Sequence, residues 1–201
     1  MNKVLQMLDQ ATDDDLLMSR FNCHVIGVHS IVLKNDSGRL TRCFLADRNH
    51  HLYGNLSFHN MALQVGVHDH RYDLLIKGIT GVAINATFGE SLEGFECSKY
   101  KFTDGQGSEW LGKSNLRLKE INPLYGGFGV FMHRAELHTM FVPKGQRASW
   151  LVKEGYQLQD HTLLYTNSSP LAAKHTVFNS ADSVREFVKS FYNSESSHVA
   201  I

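Results

Sequence analysis

The stretch richest in chemistry is Gly66-Val67-His68-Asp69-His70-Arg71-Tyr72-Asp73. Residues two apart on a β-strand project from one face, so His68 and His70 are expected side by side, their ring nitrogens able to converge on one ion. Leu74, Leu75 and Ile76 continue that strand and root it in a core. A second segment carries His133, Arg134, Glu136 and His138. Strand parity puts His138, Glu136 and Arg134 on one face, with His133 on the other unless a bulge intervenes. If His138 turns toward His68 and His70, three imidazoles share a site that keeps open positions for water or substrate. Such donors suit iron, nickel, zinc or copper better than calcium. Glu136 and Arg134 are then the natural groups to support the ligands or meet the substrate, and Glu136 is a candidate catalytic residue. Asp73 is out of phase with the histidines and is expected to be structural, paired with Arg71 on the outer face. Taken alone, a His-x-His pair reads as two solvated strand histidines; the third imidazole is what gives it a function. His24, His29, His50, His51, His59, His161, His175 and His198 are expected to be ordinary, with His59 the first to inspect because it lies just upstream on a neighbouring strand.

The elements that must position these rings can be read from periodicity. Met1 to Gln10 has Val4, Leu5, Met7 and Leu8 on one side, as a helix would. Thr12 followed by Asp15 forms a capping box, and Leu16, Leu17 and Phe21 suit one buried face. His24 to Lys34 changes to strand, and Asn35-Asp36-Ser37-Gly38 supplies a hairpin turn before Arg39 to Ala46. Further strands are expected at Leu56–Val65, Tyr72–Lys77, Gly81–Phe88, Phe95–Phe102, Leu116–Ile121, Gly129–His133, Leu137–Val142, Ala148–Val152 and Thr162–Thr166. Pro143-Lys144-Gly145 sits as a hairpin turn, and Asp104 to Asn115 reads as a surface loop. Behind a Ser180 cap, Val184, Phe187, Val188 and Phe191 recur at helical spacing, and Ser194 to Ile201 should fray. Many short strands without long intervening helices predict a mainly β antiparallel sandwich or barrel. The expected organisation is a single domain over 1–201, helical over 1–21, β over about 23–166, with a C-terminal helix over about 181–192.

Composition narrows the function classes. The chain has 201 residues, 42% of them hydrophobic, and 20 Lys+Arg balance 20 Asp+Glu. Zero formal charge gives no field to hold a polyanion, so nucleic acid is not an expected partner. Nothing approaches the length of an apolar membrane span, and Met1 to Gln10 lacks the features of a secretory signal. Cys23, Cys43 and Cys97 are too widely spaced for a metal pair or a disulfide framework. Reduced thiols in a cytoplasm are the expectation. An exposed edge strand would allow a homodimer.

On the His68/His70 pair, the turns and short strands after it, and the later lone His138, the chain resembles the cupins, small jelly-roll barrels (double-stranded β-helices) with a central metal. Within them, His68-Asp69-His70 followed by Leu74-Leu75-Ile76-Lys77-Gly78-Ile79-Thr80-Gly81 is similar to the cysteine dioxygenase branch of thiol dioxygenases. Thr41-Arg42 stands about where that family has a Thr-Arg pair whose arginine binds the substrate carboxylate. The resemblance covers roughly residues 38 to 155. It implies Fe(II) on His68, His70 and His138, Arg42 as a substrate-binding residue, and no glutamate ligand. The chain departs from the pattern in several places. Leu74 and Leu75 stand where the family has a cysteine able to crosslink to tyrosine. Ser149-Trp150-Leu151 offers no counterpart to the family's Ser-His-Tyr group. Gly126, Gly127 and Gly129 precede His138 without the usual proline, and Val142 replaces an asparagine.

The function implied is a mononuclear non-haem iron dioxygenase acting on a small thiol or carboxylate-bearing molecule, with the oxidation belonging to the metal. Two alternatives stay open. One is a non-catalytic cupin binding a metal or small molecule, with Trp110, Tyr125 and Trp150 as pocket aromatics. The other is a non-redox isomerase or lyase using His or Glu as acid or base.

Overall fold

The computed structural model describes residues 3–23, 25–50, 66–103, 105–167 and 176–196. The expected strand Leu56–Val65 and His24, His51, His59, His175 and His198 lie outside the described residues. Helix α1 spans Lys3–Gln10 and α2 spans Asp13–Leu17. The Thr12 hydroxyl accepts the Asp15 N–H at 3.1 Å and the Asp15 carboxylate accepts the Thr12 N–H at 3.4 Å, the reciprocal cap expected. Leu16 is buried, but Leu17 is exposed and Phe21 already belongs to a strand, so the helical face ends sooner than the periodicity suggests.

The fold is mainly β, in two antiparallel sheets. The first contains β1 (Arg20–Phe21), β2 (Val28–Asp36), β3 (Arg39–Ala46), β5 (Tyr72–Thr80), β8 (Gly129–Met132), β10 (Ala148–Gln157) and β12 (Thr176–Val177). Their order is β12-β1-β2-β3-β10-β5-β8. The second contains β4 (Val67–His68), β6 (Ala83–Thr103), β7 (Gly107–Leu124), β9 (Leu137–Phe141) and β11 (His161–Thr166), in the order β11-β4-β9-β6-β7. The last helix, α3, spans Ala181–Ser196, and the Ser180 hydroxyl accepts the Ser183 N–H at 3.1 Å. No described helix is long and apolar enough to cross a membrane.

The β2–β3 hairpin forms where expected. Ser37 and Gly38 both take positive φ (54° and 89°), the pairing that a two-residue turn needs to match strand twist. Other expectations need correcting. Gly81–Phe88 and Phe95–Phe102 are parts of one strand, β6, with the register shifting between Glu90 and Phe95. The polar stretch expected as a loop is mostly the start of β7. Its side chains are solvated while its backbone pairs along one side with β6, so polarity reports the exposed face of an edge strand rather than the absence of a strand. Pro143-Lys144-Gly145 is a turn, with Gln146 N–H donating to the Pro143 carbonyl, but it joins β9 to β10 across the two sheets rather than closing a hairpin.

Three apolar clusters hold this arrangement. Val4, Leu8, Leu16, Ile31, Cys43, Leu45, Val184 and Val188 pack the helices onto the outer face of the first sheet. Val28, Ala46, Leu74, Ile76, Trp150 and Val152 line its inner face and meet Ala83 and Leu124 of the second. Phe88, Cys97, Leu116, Leu137, Phe141 and Tyr165 fill the opposite face of the second sheet. All three cysteines are free and buried; burial pushes the Cys43 thiol up to about 12 and Cys97 to about 11, so both are inert thiols.

Candidate metal centre

The site forms where the chain changes sheets. Gly66 enters β4 at φ +93°, a conformation that disfavours any side chain, and a Cβ there would lie 2.6 Å from Leu164 Cδ1. In β4, His68 pairs directly with His138 of β9 and, on its other side, with Leu164 of β11. Directly paired residues present their side chains on the same face, so the two imidazoles meet without help from any loop. The chain then leaves the second sheet through Asp69 to Arg71 and enters the first at Tyr72. His68 and His70 are therefore not two positions of one strand. What aims His70 inward is hydrogen bonding to its backbone: its N–H donates to the Arg134 carbonyl at 2.9 Å, and its carbonyl accepts Gln159 Nε2 at 2.7 Å. Asp69 points elsewhere. Its carboxylate accepts the Leu163 N–H at 2.6 Å and fastens β11 to this crossing, while burial pushes its carboxyl up against the lowering effect of that bond.

The three rings form a nearly equilateral cluster, with centroids 4.8 Å apart for His68 and His70, 5.1 Å for His68 and His138, and 4.9 Å for His70 and His138. One ligand atom from each lies within 4.8 Å of the others. The Nε2 atoms of His70 and His138 stand 2.8 Å apart. That is the length of a hydrogen bond between the two rings, and it is also close to the spacing of about 2.9 Å between adjacent ligands of an octahedral ion bound at about 2.0–2.1 Å. The tautomer of His138 is set from behind. Its Nδ1–H donates to Asn85 Oδ1 at 2.7 Å, both residues being buried, which leaves the Nε2 lone pair facing its partners. His68 has its Nδ1 3.3 Å from the Gly66 carbonyl, which directs its Nε2 inward in the same way. Three imidazoles, with no carboxylate joining them among the described residues, fit a borderline divalent transition metal.

The remaining sequence candidates are placed elsewhere. Glu136 lies in the turn before β9 and not on the strand, so parity does not reach it; its carboxylate accepts the His133 N–H at 2.8 Å and is exposed. It caps that turn and does not join the imidazoles. His133 is also exposed, beside Arg134 Nη1 at 3.2 Å. Asp73 accepts the Arg134 N–H at 2.9 Å and lies 3.6 Å from its guanidinium, contacts with Arg134 that the expected pairing with Arg71 did not include. Arg42 sits on β3, and its Nε donates to Glu154 Oε1 at 2.8 Å, so it is already engaged by a carboxylate of the protein. Trp110 and Tyr125 are largely exposed, and Trp150 is buried, stacked on Phe44 at 5.5 Å and 6°. None of the three stands among the imidazoles. Asn85, Tyr72 and Glu154 are the residues that spacing did not single out. A lone acid continuing the apolar run of β10 was the available signal for Glu154; nothing local marked Asn85.

No protein-family model matches the chain, and no curated protein matches it. Among solved structures, it is similar to hydroquinone 1,2-dioxygenase PnpCD in complex with Cd2+ and 4-hydroxybenzonitrile, at 12% identity and TM-score 0.36, over 62% of each chain. It is also similar to hydroquinone 1,2-dioxygenase from Sphingomonas sp. TTNP3 with 4-hydroxybenzoate bound, at 10% identity and TM-score 0.37, over 64% of this chain and 66% of that one. A third likeness is to the polyketide cyclase RemF from Streptomyces resistomycificus, at 13% identity and TM-score 0.33, over 85% of each chain. The chain thus spans just under two thirds of the two dioxygenase chains it matches. Likenesses this distant assign it neither a family nor an activity.

Proposed function

We propose that the protein is a metal-dependent protein of the cupin kind, with His68, His70 and His138 holding one divalent transition metal, and that it acts as a mononuclear non-haem iron dioxygenase on a small molecule. The observation that carries this reading is the convergence of the three imidazoles, with His138 oriented from behind by Asn85. Iron held by these three histidines would supply the redox chemistry of oxygen. The chain's own residues perform the rest. His68 and His138 are held on paired strands, so their separation is set by the sheet rather than by loop conformation. His70 is held by backbone hydrogen bonds to Arg134 and Gln159. Asn85 fixes the His138 ring, keeping its Nδ1 proton away from the site. The Tyr72 ring lies nearly parallel to that of His70, at 6.0 Å and 24°, and walls one side.

The test is metal analysis of protein purified without chelators, followed by oxygen consumption with a panel of small thiols and phenols. Bound iron with substrate-dependent uptake supports the proposal. Metal without turnover returns the reading to a metal-binding protein, and no metal removes it.

A further inference from the structure

A buried carboxylate stands two side chains away from the imidazoles, and the metal site makes no use of it. Glu154 is 5% exposed on the inner face of β10. It accepts three hydrogen bonds: from Arg42 Nε at 2.8 Å and Tyr72 Oη at 3.0 Å on Oε1, and from the Leu40 N–H at 3.2 Å on Oε2. Tyr72 links this group to the site through its ring beside His70. Burial, followed by the charge of Glu154, holds the Tyr72 hydroxyl protonated well above the ordinary tyrosine range, in keeping with its role as donor.

We propose that Glu154 is the site's built-in carboxylate: by holding Arg42 through its Nε and balancing its charge from within the protein, it weakens that arginine as an anchor for a substrate carboxylate, so the centre favours small substrates that bear none. This rests on the reading of the three histidines as the reaction centre. Glu154 holds the Nε side of Arg42, so a carboxylate-bearing molecule that reached the Nη groups would meet a guanidinium whose charge is already balanced and a second carboxylate beside it. A neutral molecule meets no such repulsion. The direction is opposite to what the Thr41-Arg42 dipeptide suggests in isolation.

The test compares two thiols of similar size, mercaptoethanol and mercaptoacetate, by calorimetry on the metal-loaded protein. Mercaptoethanol is expected to bind about tenfold more tightly or better, a difference of about 1.4 kcal/mol. Glu154→Gln is expected to narrow or reverse that preference. A second readout needs no metal: the Arg42 Nε–H resonance in NMR during titration with acetate, unmoved in the wild type and shifting saturably in Glu154→Gln. Equal affinities, a wild-type preference for mercaptoacetate, an Arg42 signal that titrates in the wild type, or a folded Glu154→Gln that gains no carboxylate binding each overturn the proposal. If Glu154→Gln does not fold, the two wild-type measurements still decide it. Metal content is measured separately, and its absence would defeat the histidine reading while leaving the Arg42 titration able to judge this one.

Discussion

Replacing Asn85 probes the site without touching a ligand. The His138 Nδ1–H donates to Asn85 Oδ1 at 2.7 Å, with Asn85 1% and His138 3% exposed, so no bulk water stands ready to take over the bond. Asn85→Ala leaves that N–H without an acceptor, which costs about 1–3 kcal/mol of stability. It also frees the ring to rotate and to change tautomer. Loss of such an outer partner lowers metal affinity by about 10- to 100-fold, or about 1.4–2.8 kcal/mol. Asn85→Asp keeps an acceptor at the same place and adds negative charge behind the ring, so it should hold affinity at or above that of the wild type. The assay is a competition titration of zinc or cobalt against a chromogenic chelator, with a thermal melt beside it to separate affinity from folding. A folded Asn85→Ala protein with wild-type affinity would refute the reasoning, as would equal losses in the alanine and aspartate variants.

Three other perturbations follow from the packing. Arg42→Ala strips the buried Glu154 of its cationic partner and is expected to cost about 2–3 kcal/mol by urea denaturation, less than for a fully enclosed pair because Arg42 is part-exposed; a loss below 0.5 kcal/mol, of the order typical of surface pairs, would show that the pair is not holding the wall. Leu45→Ala, a fully buried change between the first sheet and the helices, should lose about 2–5 kcal/mol yet leave metal affinity unchanged, and a matching fall in affinity would mean the site is not independent of that core. His29 is buried between Phe21 and Phe187 with its Nδ1 accepting the Asn22 N–H, and burial holds its imidazole below the ordinary 6.5. The unfolded chain therefore takes up a proton as pH falls through about 6.5 while the folded chain does not, so this contribution is present above that pH and is lost below it. His29→Gln should flatten the decline of stability on the acid side of 6.5, and identical slopes in the two proteins would count against the assignment.

Local signals were legible wherever one stretch of chain decides its own conformation. Thr12 with Asp15, Ser180 before its helix, and Ser37-Gly38 in the hairpin each act within a few residues, and each was readable. The convergence of His68, His70 and His138 was also readable, though for a partly different reason than parity: β4 ends at His68, and His70 is aimed by backbone bonds to Arg134 and Gln159. What local pattern misses is pairing across distance. Glu154 meets Arg42 112 positions away, and Asn85 meets His138 across 53. The same limit explains Gly107 to Asn115, whose polar residues look like a loop until β6 provides a partner strand.

The most direct measurement is the metal content of the wild type against His70→Ala and His138→Ala, each checked for retained secondary structure by circular dichroism. One transition-metal ion per wild-type chain, absent from both folded variants and retained in Asp73→Ala, is the expected result. Equal metal in all four proteins, or loss in Asp73→Ala alone, would show that the three imidazoles are not the ligands.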